Sequence, residues 1–255
     1  MVLNWQMLAI VCPLVFLAGF IDSVAGGGGL ISLPAYLAAG LPPQLAAGSN
    51  KLSAGCGTLL ATLRYARRGW TDTPPALLSA ALALPASFLG AWVAMGLPEG
   101  ALRAVMLGGL VPAAAALLCR KKERTDTENK RLPGPKRYAV CAVLGAAIGF
   151  YDGLVGPGTG TLLIIGYTFF AGYDMTTASG NAKVVNLASN VAALIAFVSR
   201  GNVLYALAVP ATLCGIAGNW LGAGLAIRSG ARFIRPMLLL VMAALIGKVI
   251  YDALA

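Results

Sequence analysis

Gly19-Phe20-Ile21-Asp22-Ser23-Val24-Ala25-Gly26-Gly27-Gly28-Gly29 returns later in the same chain as Gly149-Phe150-Tyr151-Asp152-Gly153-Leu154-Val155-Gly156-Pro157-Gly158-Thr159-Gly160. Each copy interrupts a hydrophobic segment. Hydrocarbon offers no water to loose backbone, so irregular chain survives at membrane depth only against a cavity or inside protein. A duplicated break that carries glycines and one acid therefore points to a central transport site.

The surroundings are those of a membrane protein. Hydrophobic residues make up 58% of the 255 and charged residues 11%, with a mean hydropathy of +0.80. A soluble domain carries about a quarter charged residues. The 32 glycines suit close helix packing and broken helices. Histidine is absent, which removes the commonest metal ligand and general base. The five cysteines stand singly in apolar sequence, so they read as packing residues, and no metal or cofactor is expected. Met1–Gln6 has no basic residue, so Met7–Phe20 reads as a first membrane segment rather than a cleaved leader.

The net charge of +10 is placed by topology and not by a nucleic-acid partner. Eight of the 19 basic residues fall between Arg120 and Arg137, in the one long polar linker. That linker divides the chain into a first membrane repeat (1–119) and a second (138–255). Arg64, Arg67 and Arg68 close one apolar segment, and Arg228, Arg232 and Arg235 separate the last two. Basic short loops face the cytoplasm. With all three clusters inside, Arg68-Gly69 lies inside while its counterpart Arg200-Gly201, 132 residues on, lies outside. The expected fold is an all-α integral membrane protein of two inverted-topology repeats in the cytoplasmic (inner) membrane. Each repeat has about five hydrophobic segments: near 6–21, 29–40, 44–66, 74–95 and 101–119, then 138–152, 160–172, 175–199, 203–226 and 233–253. Both termini are expected outside. The second segment of each half spans roughly 18 Å as a helix against a hydrocarbon core of ~30 Å. It either folds back on the first as a re-entrant hairpin or crosses with a tilt.

The breaks supply the candidate site. Gly26, Gly27, Gly28 and Gly29, and Gly156, Gly158, Thr159 and Gly160, can present successive N–H groups ahead of a helix N-terminus, which makes an anion cradle. Alternatively they only allow helices to cross closely. Asp22 and Asp152 are the acids well inside apolar sequence, where a carboxylate is functional by default. Each can carry a coupling proton, or hold a loop N–H or helix end in a structural role. Lys51 and Lys183, also 132 apart, are matched cations that either neutralise an anionic substrate or pair with the two aspartates. Ser49, Asn50, Asn181, Asn186 and Asn190, with Thr161, add hydrogen-bond donors.

On G-F-x-D-x-x-x-G-G-G, G-x-x-D-G-x-x-G-P-G-T-G, Gly48-Ser49-Asn50-Lys51-Leu52-Ser53 and Gly180-Asn181-Ala182-Lys183-Val184-Val185, the whole chain resembles the TauE/SafE family, also called the sulfite exporter or TSUP family. The resemblance implies a secondary carrier of sulfite, sulfoacetate, other sulfonates or organic anions. The first copy departs from the second in having Ser23 for Gly153 and no counterpart of Pro157, so the two cradles are not equivalent. Expected partners are a small anion and the lipid bilayer, with no nucleic acid; small interfacial residues would permit a homodimer. A passive anion channel is the main alternative. An intramembrane aspartyl protease is a weaker one, because the Gly-x-Gly-Asp motif is missing and each acid has a matched lysine. The chain has no Walker-type motif for ATP, and no catalytic residues are expected.

Overall fold

The computed structural model describes residues 4–108 and 132–230, together with 232–234, 236, 237 and 240. Most of the 120–137 linker and the greater part of the fifth segment of each half lie outside the described residues. Within them the chain is helical: α1 (Trp5–Ala25), α2 (Gly29–Ala38), α3 (Pro43–Arg67), α4 (Thr73–Gly96), α5 (Glu99–Gly108), α6 (Gly134–Leu154), α7 (Thr159–Phe170), α8 (Met175–Ser199) and α9 (Tyr205–Ser229). No strand occurs among these residues.

Four of the helices, α1, α4, α8 and α9, are long and apolar enough to cross a membrane. Their starts follow local chemistry. Asn4 accepts from Gln6 N ahead of α1, Asp174 accepts from Thr177 N ahead of α8, and prolines open α3, α4 and α6, where a missing N–H costs nothing. The first helix of each half runs further than its apolar stretch suggests. α1 continues through Asp22 to Ala25, and α6 through Asp152 to Leu154, so the breaks shrink to residues 26–28 and 155–158. At the first break Gly26 takes φ 75°, a left-handed conformation that costs a side-chain-bearing residue 1–2 kcal/mol or so. α2 then folds back along α1, with Gly28 lying against the Ala18 carbonyl and the Asp22 side chain. The hairpin is bent at the glycines.

Helix direction follows from contact register. Gly218 and Gly222 of α9 lie against the Phe16 and Phe20 carbonyls of α1, so the two helices run parallel. Gly215 meets Ser53, and Asn219 meets Gly57, so α3 runs the same way. On the other side of the bundle Gly145, Gly149 and Gly153 of α6 meet Ser79, Ala83 and Ser87 of α4, again in parallel. Because α4 turns back from α3 at 68–72, α4 and α6 run opposite to α1, α3 and α9. α1 and α4 thus run opposite to α6 and α9, respectively. The contacts also cross between halves: α1 packs on α9 and α6 on α4, the self-complementary pattern of a two-fold.

The loops repeat the relation in detail. Gly48 sits on the Asn202 carbonyl and Gly180 on the Trp70 carbonyl, both pairs being equivalent at a spacing of 132. Ser49 Oγ accepts from Leu204 N at 3.0 Å, and Asn181 Oδ1 accepts from Asp72 N at 2.8 Å. The 200–204 loop therefore lies at the start of α3 and the 68–72 loop beyond its end, so the matched Arg-Gly landmarks occupy opposite ends of the bundle. Asp72 also meets Arg137 at 3.7 Å and accepts from Tyr173 at 2.7 Å, which puts the end of the basic linker beside the 68–72 loop.

Polarity is arranged inside out. α4 and α9 expose Leu77, Phe88, Leu89, Trp92, Leu213 and Trp220, whereas α3 and α8 bury Ser49, Asn50, Lys51, Ser53, Asn181, Lys183, Asn186 and Ser189. Small residues at the helix contacts let backbones approach where lipid supplies no hydrophobic drive. The two breaks meet at the centre: Gly26 and Gly160 are back to back, and Thr161 reaches across to donate to the Ala25 carbonyl (2.8 Å) and the Gly26 carbonyl (3.3 Å). No methyl fits between them. Gly160→Ala should therefore destabilise the protein by about 1–3 kcal/mol, the usual cost of overpacking a tight interior. Gly96→Ala, with open space at its Cβ, should not. Melting in detergent of the two variants beside the parent checks this.

Candidate functional site

The lysine of each half reaches the aspartate of the other. Lys51 Nζ lies 2.8 Å from Asp152 Oδ2, and Lys183 Nζ lies 2.8 Å from Asp22 Oδ2. The ammonium of Lys183 also contacts the Asp22 backbone carbonyl. That carbonyl belongs to the last turn of α1, where the helix dipole favours a cation. Thus Asp22, Asp152, Lys51 and Lys183, picked from the sequence, are brought together as crossed pairs at the ends of α1 and α6.

The two pairs differ in their surroundings. Asp152 is fully engaged: Thr159 Oγ1 donates to Oδ1 at 2.7 Å, and Ser189 Oγ donates to Oδ2 at 2.6 Å, beside Lys51. Tyr151 Oη holds the following loop through the Pro157 carbonyl at 2.8 Å. Asp22 is looser. Thr58 Oγ1 lies 3.4 Å from Oδ2, the oxygen that Lys183 already uses, and no described residue engages Oδ1. Its side chain is 13% exposed against 3% for Asp152.

That exposure is to a cavity of about 30 Å³ between α1, α2, α3 and α9, lined by Asp22, Gly29, Ser32, Asn50, Ser53 and Asn219. At the equivalent positions of the other half stand Thr159, Leu162, Ala182, Val185 and Ser87, and Thr159 is turned onto Asp152. Asymmetry of the two cradles, visible in sequence as Ser23 against Gly153, is therefore larger in the structure and favours the first.

The remaining sequence candidates divide. Gly28 and Gly29 line the cavity. Gly26 and Gly160 are occupied by each other, and several N–H groups of the supposed cradles are already used: Gly26 N by the Asp22 carbonyl, Leu30 N by Gly27, Gly156 N by Tyr151 and Leu162 N by Gly158. Gly27 and Gly158 shape the turns, Gly158 with φ 81°. Gly156 lies near the Lys51 ammonium. Asn186 is buried and accepts from Asn190 at 3.2 Å along one face of α8. Ser49 and Asn181 are brought not to the ion pairs but to the loops of the opposite half. Thr58, Ser189 and Asn219 were not picked out beforehand. Ser189 shares the α8 stripe of Asn186 and Asn190, and Asn219 is a lone amide in an apolar span, so both left a signal.

The crossed pairs draw on helices from both parts of the chain. The sulfite exporter TauE/SafE family matches residues 11–249. The chain belongs to this family. It is 36% identical over 250 residues to the "Probable membrane transporter protein ORF9" of Sinorhizobium sp, covering 98% of this chain and 95% of that one. It is 30% identical to the "Probable membrane transporter protein YfcA" of Escherichia coli K12, covering 97% and 91%, and 31% identical to a "Probable membrane transporter protein" of Haemophilus influenzae, covering 97% and 96%. No solved structure matches. Membership makes this TauE/SafE chain a multi-pass membrane protein of a transporter family.

The Lys51–Asp152 pair carries a stability expectation. Removing one member leaves a buried charge without its partner, at a cost of about 3–5 kcal/mol, whereas replacing both by apolar residues is often near neutral. Asp152→Leu and Lys51→Met should each lower the melting temperature in detergent, and the double variant should recover most of the loss. A double variant as unstable as the sum of the singles would contradict this.

Proposed function

We propose that this chain is a secondary transporter of small sulfur-containing or organic anions, such as sulfite, sulfoacetate or other sulfonates, working by alternating access and coupled to a proton or another cation. The observation that carries the reading is the Asp22–Lys183 pair, its aspartate bordering a cavity shared with Ser32, Asn50, Ser53 and Asn219. A buried ion pair is neutral, but either member alone is not, and a bare charge in a low-dielectric interior is strongly disfavoured. An anion that takes Lys183 from Asp22 leaves the carboxylate uncompensated. The carboxylate then needs a cation, and this requirement links anion movement to cation movement. Asp152, held by Lys51, Thr159 and Ser189, serves as the fixed counterpart in this cycle.

Family membership supports transport as the task, and the name of the family supports a sulfur oxyanion among its substrates. Inverted halves meeting at central breaks suit a rocking mechanism in which one half moves against the other. A passive channel would show the same lysines but has no need of a cation tied to each anion.

In proteoliposomes loaded against a sulfite and sulfonate panel, an imposed cation gradient should drive one anion uphill. Lys183→Ala should abolish that flux, and Asp22→Asn should leave downhill exchange while removing accumulation. Downhill flux alone in the parent protein would favour the channel. The membrane orientation proposed with it has the 120–137 linker and Arg68 in the cytoplasm and Arg200 outside. Single cysteines at 68 and 200, in a background free of other thiols, should label from opposite faces of intact cells.

A further inference from the structure

Two residues that line the cavity beside Asp22, Asn50 and Asn219, carry amide oxygens without partners. Asn50 Oδ1 and Asn219 Oδ1 are buried and receive no hydrogen bond from any described residue. Asn50 is 7% exposed and Asn219 2%, so water outside the bundle does not satisfy them. The orientation of Asn219 is fixed by its own helix, because Nδ2 donates to the Gly215 carbonyl at 3.0 Å; a flipped amide would set two acceptors against each other. Leaving a buried acceptor unsatisfied costs about 1–3 kcal/mol. Two such oxygens on one small cavity are a feature that the ion pairs do not explain.

The other polar side chains of the lining are of the same kind. Ser53 Oγ gives its proton to backbone carbonyls of α3, 3.0 Å from Asn50 O, and accepts from Tyr36 at 3.2 Å; Ser32 Oγ gives its proton to the Gly28 carbonyl. Both therefore present oxygen lone pairs and no free proton. Asp22 adds Oδ1. The polar part of the lining thus offers oxygens that accept, beside the Asp22 charge shared with Lys183, while Val15, Ala18, Ala54 and glycines complete the wall. Acceptor oxygens of this kind suit a hard cation better than an anion.

Size and charge narrow the cation. A cavity of about 30 Å³ has room for a water molecule or two, and so for a largely dehydrated small ion. One carboxylate, half neutralised by lysine, is too little charge to strip water from magnesium, and calcium takes six to eight oxygens with more carboxylates among them. We propose that this cavity is a sodium-ion site formed by Asp22, Asn50, Asn219, Ser32 and Ser53, and that sodium is the cation coupled to anion movement. This rests on the transporter reading above for the coupling, but the ion site stands on its own geometry. When an anion engages Lys183, the ion replaces the ammonium as the neighbour of Asp22, so cation and anion favour each other's binding by the same factor. In the other half, Leu162, Ala182 and Val185 replace the serines and Asn50, so one ion binds per chain.

The test is radioactive sodium binding to the purified full chain in detergent without any anion. Melting is followed in sodium, potassium and choline chloride at equal ionic strength. The expected result is saturable sodium binding near one per chain and a rise of several degrees in melting temperature with sodium only. Asn219→Leu should abolish both. Asn50→Asp keeps the shape and adds a charge, so it should preserve or strengthen sodium binding, while it would weaken a site meant for an anion. Should Asn219→Leu fail to fold, Asn50→Asp and Asn50→Ser carry the comparison. Equal melting in all three salts with no saturable binding would overturn the proposal and leave the cavity to water. If anion accumulation then still followed a proton gradient, the transporter reading would stand without the sodium site. Sodium binding in a protein that moves none of the anions would support the site and overturn the substrate reading.

Discussion

Everything in this fold turns on charges that neither half can neutralise with its own partner. Asp22 is met by Lys183 and Asp152 by Lys51, in each case across the boundary between repeats. An isolated carboxylate or ammonium at membrane depth is costly, so this crossing ties the two halves more firmly than apolar contact could, because lipid competes equally well for apolar surface. The helices follow the same rule. α1 lies on α9 and α6 on α4, while the glycines along those contacts bring backbones together closely enough for the ammonium groups to reach the ends of α1 and α6.

The two-fold is obeyed by the frame and broken at the site. Loop contacts such as Gly48 with Asn202 and Gly180 with Trp70 are the same contact made twice. Around the aspartates the copies diverge by single side chains. Thr159 in place of Gly29 supplies a hydroxyl that fastens Asp152 and fills the space left open beside Asp22. One pair becomes a pin and the other borders a cavity, although the backbones that carry them correspond.

Much of this was legible in the sequence, for physical reasons that can be named. Apolar length marked α2, α3, α4, α7, α8 and α9 to within a few residues, and the repeated Asp and Lys positions stood out because charge is so rare in membrane-buried chain. The ends of α1 and α6 were harder. Residues 22–25 and 153–154, beyond the apolar stretches, continue as helix to Ala25 and Leu154, since the turn needs only Gly26 at positive φ in the first copy. Partner choice was not legible: spacing along the chain shows that an aspartate and a lysine match, but not that each takes the other half's. Nor was the use of the glycines, because Gly26 could face a ligand or Gly160 with the same sequence, and only packing decides. Asn219 was passed over because it stands outside both duplicated motifs, its counterpart being Ser87.

The crossed pairing also constrains how the protein is made. A ribosome delivers the first half before the second, so Asp22 and Lys51 enter the bilayer while Asp152 and Lys183 are still unsynthesised. Until α6 and α8 arrive, α1 and α3 have no counter-charge in their final positions, and the half-built chain must keep those groups near water or in the care of the insertion machinery. The second half therefore does not add to a finished first half but supplies the counter-charges that complete it.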